Sequence, residues 1–172
     1  SCSSSSSRGK SSAYYTKSGK PIIVPNDPDP DKVWNLDNAA TVHVTNNLDL
    51  LFDVRPTDRE VQTSLTHSER MRFKGKAYIY DLSQPGTPIT LQDVYYHPAA
   101  SANLISLIRI RQAGMKYYAD ADYTTIVDGD GTPVVRAPHD SEGLAYVSII
   151  DPVQYHRDRL KVFFTMAKET PH

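Results

Sequence analysis

Between residues 32 and 150 the chain is cut into short β-prone runs separated by turn formers, a punctuation that points to an all-β domain. The runs are TVHVT, EVQTSL, MRFKGKAYIYDL, PITLQDVYYHP, MKYYADADYTTIV, TPVVRA and GLAYVSII. SQPGTP parts AYIYDL from ITLQDVYY, and DGDGT parts TTIV from PVVR. Glycine in such links permits the positive φ that hairpin turns need. One stretch breaks the rhythm. In SANLISLIRIRQAGM, Leu104, Leu107 and Ile108 share a helical face at i, i+3, i+4, Arg111 continues it, and Gly114 marks a C′ stop. The expectation is a β-domain carrying one short, late helix.

The flanks read differently. Residues 1–31 hold the run Ser3 to Ser7, the cations Arg8, Lys10, Lys17 and Lys20, and the string PNDPDPD. A segment this polar buries too little apolar surface to offset its ordering entropy, so a disordered linker is expected, with one short strand at Ile22–Val24. No acid opposes the four cations before Asp27, which allows weak electrostatic contact with RNA; a solvated spacer is the plainer reading. From 151 to 172 a helical tail is expected. Asp151 is its N-cap, Pro152 its N1 residue, and Val153, Leu160, Phe163 and Phe164 its approximate apolar stripe.

Composition removes several function classes. Formal net charge is −1, so the chain as a whole has no bias toward nucleic acid or anionic membranes. Cys2 is the only cysteine, which excludes an internal disulfide and a multi-cysteine metal site and agrees with an intracellular, cytoplasmic setting. No apolar run reaches the roughly 18 residues that a membrane helix needs. The six histidines show no close metal spacing, and DGDG lacks the spaced ligands and closing glutamate of a calcium loop, so a hairpin turn is expected there. No cofactor or metal is expected.

The stretch that carries chemistry is VWNLDNAATVHVTN, residues 33–46. An apolar approach (Val33, Trp34, Leu36) ends in Asp37, small residues follow it, and a Val-His-Val alternation comes next. Either this is an ordinary Asx turn, or a slim backbone lets a ligand approach the carboxylate. His43 lies on the opposite side of that alternation from Val42 and Val44, so it either supports the turn or is exposed.

The stretch resembles the aspartate motif of retropepsins, Asp-Ser/Thr-Gly-Ala-Ser/Thr, in the version found in copia-type LTR retrotransposon polyproteins. There a tryptophan commonly stands three residues before the aspartate and a histidine six after it; Trp34, Asp37, Ala40, Thr41 and His43 match. LQDVYYHPAASANLISLIRIRQAGM resembles the second half of the same family: an Asp-Val strand, a proline, Asn-Leu-Ile-Ser, and a helix closing on glycine. The resemblance runs from about Trp34 to Val147. It departs at Asn38, where the family has a bracing Ser or Thr, and at Ala39, where glycine is usual. YHRDRL in the tail faintly resembles the start of a histidine-cysteine zinc module, but the remaining ligands are missing.

The resemblance implies a retropepsin-like closed β-barrel with one short helix, and aspartic endopeptidase activity in Gag-Pol maturation, in a retroelement's virus-like particle. Asp37 would be catalytic, supported by Asn38, Ala39, Ala40 and Thr41. Asn103, Leu104, Ile105 and Ser106 would form the apolar loop beside the catalytic turn, and Thr66, His67, Ser68 and Glu69 the flap tip. A single carboxylate is a poor peptide hydrolase, and Asp81, Asp93 and Asp128 lie in no comparable turn. A homodimer would therefore supply the second aspartate and bind an extended polyprotein peptide. The competing expectation is a non-catalytic β-barrel interaction module.

Overall fold

The computed structural model describes residues 13–15, 21–23, 28–63 and 65–169, with backbone alone for 13–15, 21–23 and 162–169. Within the expected linker, β1 (Ala13–Tyr15) pairs antiparallel with β2 (Pro21–Ile23), which overlaps the short strand expected at Ile22–Val24. The serine run, Arg8, Lys10, Lys17, Lys20 and Val24 lie outside the described residues.

The domain is mostly strand, as the turn punctuation predicts. In chain order come β3 (Val33–Asp37), β4 (His43–Thr45), β5 (Phe52–Gln62), β6 (Ser68–Ile79), β7 (Ile89–Tyr96), β8 (Asn103–Ser106), α1 (Leu107–Gln112), β9 (Lys116–Ala119), β10 (Tyr123–Val127), β11 (Pro133–Pro138), β12 (Ala145–Ser148) and α2 (Pro152–Glu169). Seven strands form one sheet in the order β12-β3-β8-β4-β7-β6-β5, and β11-β10-β9 form a second. Two isolated backbone contacts join the sheets: His139 bridges Ala145, and the Leu82 N–H donates to the Val134 carbonyl at 2.8 Å. Strand pairing itself runs from β12 through β3, β8, β4, β7 and β6 to β5, and these two contacts hold the smaller sheet against it.

Strand β3 sits inside the seven-stranded sheet, antiparallel to β12 and parallel to β8. That position explains why Val33, Trp34 and Leu36 do not alternate cleanly with polar residues: a strand paired on both edges and covered on both faces is apolar along most of its length. Trp34, 1% exposed, packs with Ile105, Leu107, Ile110, Ile126 and Val135 in a core drawn from both sheets. A second cluster (Val42, Val44, Val61, Met71, Tyr95) lies beneath β4 and the β5–β6 hairpin.

Three expectations are corrected. The helix starts at Leu107, not Leu104; Asn103–Ser106 is a strand, and Leu104 packs against the second cluster. Ser106 is the N-cap, its Oγ accepting the Arg109 N–H at 3.1 Å. The stop at Gly114 is as expected: its φ is +92, its N–H donates to the Arg111 carbonyl, and the Met115 N–H donates to that of Ile110, a Schellman ending.

Strand β5 spans FDVRPTDREVQ, far more than the expected EVQ start. It is an edge strand whose side chains are mostly exposed, so it tolerates Pro56 and shows no apolar alternation. At its base β6 passes so close that a Cβ on Gly75 would lie 3.0 Å from the Phe52 carbonyl oxygen, which leaves glycine as the residue that fits.

The helical tail begins as expected, with Asp151 Oδ1 accepting the Val153 N–H at 2.9 Å. Its packing face differs. Val153 and Leu160 are more than half exposed, and the side chains of Phe163 and Phe164 lie outside the described residues. Pro152 and Tyr155 are buried instead, with Tyr155 against Tyr78 (ring centroids 4.9 Å apart), which stacks on Phe52 (4.4 Å).

Candidate active site

Asp37 ends β3 opposite Ser106 of β8 in the parallel register. Its Oδ1 accepts the Ala39 N–H at 2.8 Å, so the carboxylate shapes the turn that follows it. Asn38 and Ala39 are exposed at the tip of this turn, Thr41 is exposed on its far limb, and Ala40 is half-buried. The small residues leave the half-buried carboxylate approachable.

Beyond the turn the chain dives inward. His43 is 4% exposed, with its ring in the protein and its neighbours Val42 and Val44 in the second cluster. His43 Nδ1 accepts the Ser106 N–H at 2.9 Å, which assigns the ring proton of the neutral form to Nε2. The Ser106 hydroxyl donates to the Ala40 carbonyl at 2.6 Å. Burial, reinforced by the Arg109 guanidinium and partly opposed by Asp93, lowers the His43 pKa from 6.5 to about 4. Of the two alternatives open for His43, support of the turn is the one the structure has.

Asn103 is fully buried and acts as a clasp. Its Oδ1 accepts the Thr45 hydroxyl at 2.7 Å, and its Nδ2 donates to the carbonyls of Val33 (3.2 Å) and Pro30 (3.3 Å). It thus ties β4 to the start of β3, and the predicted apolar loop is in fact a strand with a polar side chain at its first position. Ile105 points into the main core.

Asp37, Ala39, Ala40 and Thr41 form one wall of a cleft of about 380 Å³. Val61, Gln62, Thr63 and Met71 of the β5–β6 hairpin face them, and Val42, Val44 and Leu104 make the floor. Asp37 is the one carboxylate among the described lining residues. The expected flap residues sit at the hairpin's end. Ser68 and Glu69 pair with Gln62 and Val61, while Thr66 and His67 lie in the connection. All four are off the cleft wall, so the hairpin presents Val61, Gln62, Thr63 and Met71 there. His97 also lines the cleft, a position that only the tertiary fold reveals.

The other carboxylates considered from the sequence are occupied elsewhere. Asp81 Oδ1 accepts the Ser83 N–H and hydroxyl, and Asp128 Oδ1 closes the DGDG hairpin through the Asp130 and Thr132 amides. Asp93, at φ +53, pairs with Lys74 (3.1 Å) and Arg109 (3.5 Å). Among the described residues no three His, Cys, Asp or Glu side chains converge as a metal site, and no helix is long and apolar enough to cross a membrane.

A search of curated proteins finds no match to the chain. Residues 34–115 match the family model described as "Pol polyprotein, beta-barrel domain". The matched segment begins at Trp34, takes in Asp37, His43, the β5–β6 hairpin and Ser106, and closes just past Gly114; over that stretch the chain is similar to the β-barrel domain of a Pol polyprotein, which is consistent with a retroelement Pol region.

Proposed function

We propose that the domain is an aspartic endopeptidase that cleaves a retroelement Gag-Pol polyprotein as a homodimer, each copy contributing Asp37. The observation that carries this reading is the cleft: one carboxylate on a turn of small residues, faced by an extended hairpin. In a two-fold pair the turns meet tip to tip and the carboxylates approach within a few ångströms. Two such groups cannot both ionise, so they share a proton. The ionised one takes a proton from water, and the protonated one polarises the scissile carbonyl. The substrate lies extended between the Asp37 turn and the hairpin, giving backbone hydrogen bonds to strand edges.

Asn38, exposed at the tip, stands where a bracing hydroxyl would cross the two-fold axis; its amide both donates and accepts. A second reading, a non-catalytic interaction module, draws on the same exposed Asn38 and on Ala39. The experiment that separates the two is cleavage of a polyprotein fragment at pH 4 to 7 by the wild type and by Asp37→Asn. Cleavage by the first and none by the second supports the peptidase; none by either supports the module.

A further inference from the structure

We propose that His43 is a positioning residue for Asp37: its Nδ1 holds Ser106, Ser106 holds the Ala40 carbonyl, and protonation of His43 releases the turn. The catalytic consequence rests on the peptidase reading; the clamp itself does not.

The geometry is a chain of two hydrogen bonds that joins residues up to 66 positions apart. The Ser106 N–H reaches His43 Nδ1 at 2.9 Å, and the Ser106 hydroxyl reaches the Ala40 carbonyl at 2.6 Å. Ser106 is opposite Asp37 in the β3–β8 register. It also caps α1 through the Arg109 amide, so its own position is set from two directions. Asp37 is thereby fixed by its strand, and the turn after it by one serine that a histidine holds.

That serine can be held only by a neutral ring. A proton on His43 Nδ1 would set N–H against N–H and turn an acceptor into a repelling donor. The charged groups facing the ring are Arg109 of α1, which opposes protonation, and Asp93 of β7, which favours it. Arg109 and Asp93 are themselves paired at 3.5 Å, so neither charge acts alone. Burial is the largest influence: it keeps the ring neutral over most of the pH 4 to 7 range and places its protonation at the acid end.

The test uses the full chain in three forms: wild type, His43→Asn and His43→Leu. An asparagine Oδ1 can occupy the place of Nδ1 and accept the same N–H, but does not titrate; leucine fills the space and accepts nothing. The first readout is the NMR signals of the Ser106 amide and of the Thr41 amide, which shares its peptide group with the Ala40 carbonyl, between pH 7 and 3 with no substrate present. Both should move with the His43 ring in the wild type and hold still through that transition in His43→Asn. The second readout is kinetic: His43→Leu should lose about a hundredfold in kcat with little change in KM, and His43→Asn should regain most of it and lack the histidine's acid limb. Amides that ignore the His43 titration, or an Asn variant no better than Leu, would overturn the proposal. Coupled amides in a wild type that cleaves nothing would uphold the clamp and reject the peptidase.

Discussion

Thr45 and Asn103 meet in the interior, hydroxyl to side-chain oxygen at 2.7 Å, with both residues fully buried. Through this contact β4 is locked to β8, and the Asn103 amide ties both to the start of β3. The three strands that carry Asp37, His43 and Ser106 therefore share one polar clasp. Every partner in it is satisfied, which is what lets a buried polar group stabilise rather than weaken a core.

Replacing Asn103 with alanine should remove the Thr45 hydroxyl's shortest contact and the side-chain donor to the Val33 and Pro30 carbonyls, and open a small cavity. The expected cost is about 2 to 4 kcal/mol. Urea unfolding at pH 7 measures it; a loss below about 0.5 kcal/mol, the level of an ordinary surface substitution, would mean that the clasp contributes little.

Acid should unfold the domain partly through His43. Its folded pKa, about 4, lies below the ordinary 6.5, so in that window the unfolded chain binds a proton that the folded chain refuses. The neutral ring's contribution is fully present above pH 6.5 and is lost as pH falls toward 4. Integrated, the loss is about 3 kcal/mol. Denaturant unfolding at several pH values should show this slope in the wild type and a shallower one in His43→Asn.

Much of this was legible in advance, and the misses have physical causes. Asp37 stood out because an apolar run ending in a carboxylate and small residues is a local pattern. The clamp did not, because His43 and Ser106 are 63 positions apart and only the β3–β8–β4 pairing brings them together. Leu104 was drawn into the helix because a strand packed between β3 and β4 loses its polar alternation, although Ser106 just before Leu107 was a readable N-cap signal. β5 was missed over most of its length because an exposed edge strand can be charged throughout and can even hold a proline. In the tail, apolar periodicity pointed to Val153 and Leu160, while ring geometry chose Tyr155.

Tyr155→Ala should undock the start of α2 from Tyr78 and remove the hydroxyl's contact with the Gly86 carbonyl at 3.3 Å. The expected loss is about 2 to 4 kcal/mol. Since no described α2 residue lines the cleft, cleavage per folded molecule should stay unchanged. Differential scanning calorimetry gives the first quantity; a rise in activity would instead mark the tail as an inhibitor.

Restoring the family's turn with Asn38→Ser and Ala39→Gly should raise kcat if a bracing hydroxyl and a slimmer tip are what the dimer lacks. A fall would identify both residues as adapted to this chain's own pairing. Steady-state kinetics on a polyprotein-derived peptide decides between them.

The shared dyad is tested most directly by mixing wild type with Asp37→Asn at fixed total concentration and measuring peptide cleavage. If two copies must each supply Asp37, activity follows the square of the wild-type fraction and falls to about a quarter at equal mixing, provided the subunits exchange freely. A linear fall to about half would mean that each chain acts alone, and that result, or cleavage by Asp37→Asn by itself, would contradict the account.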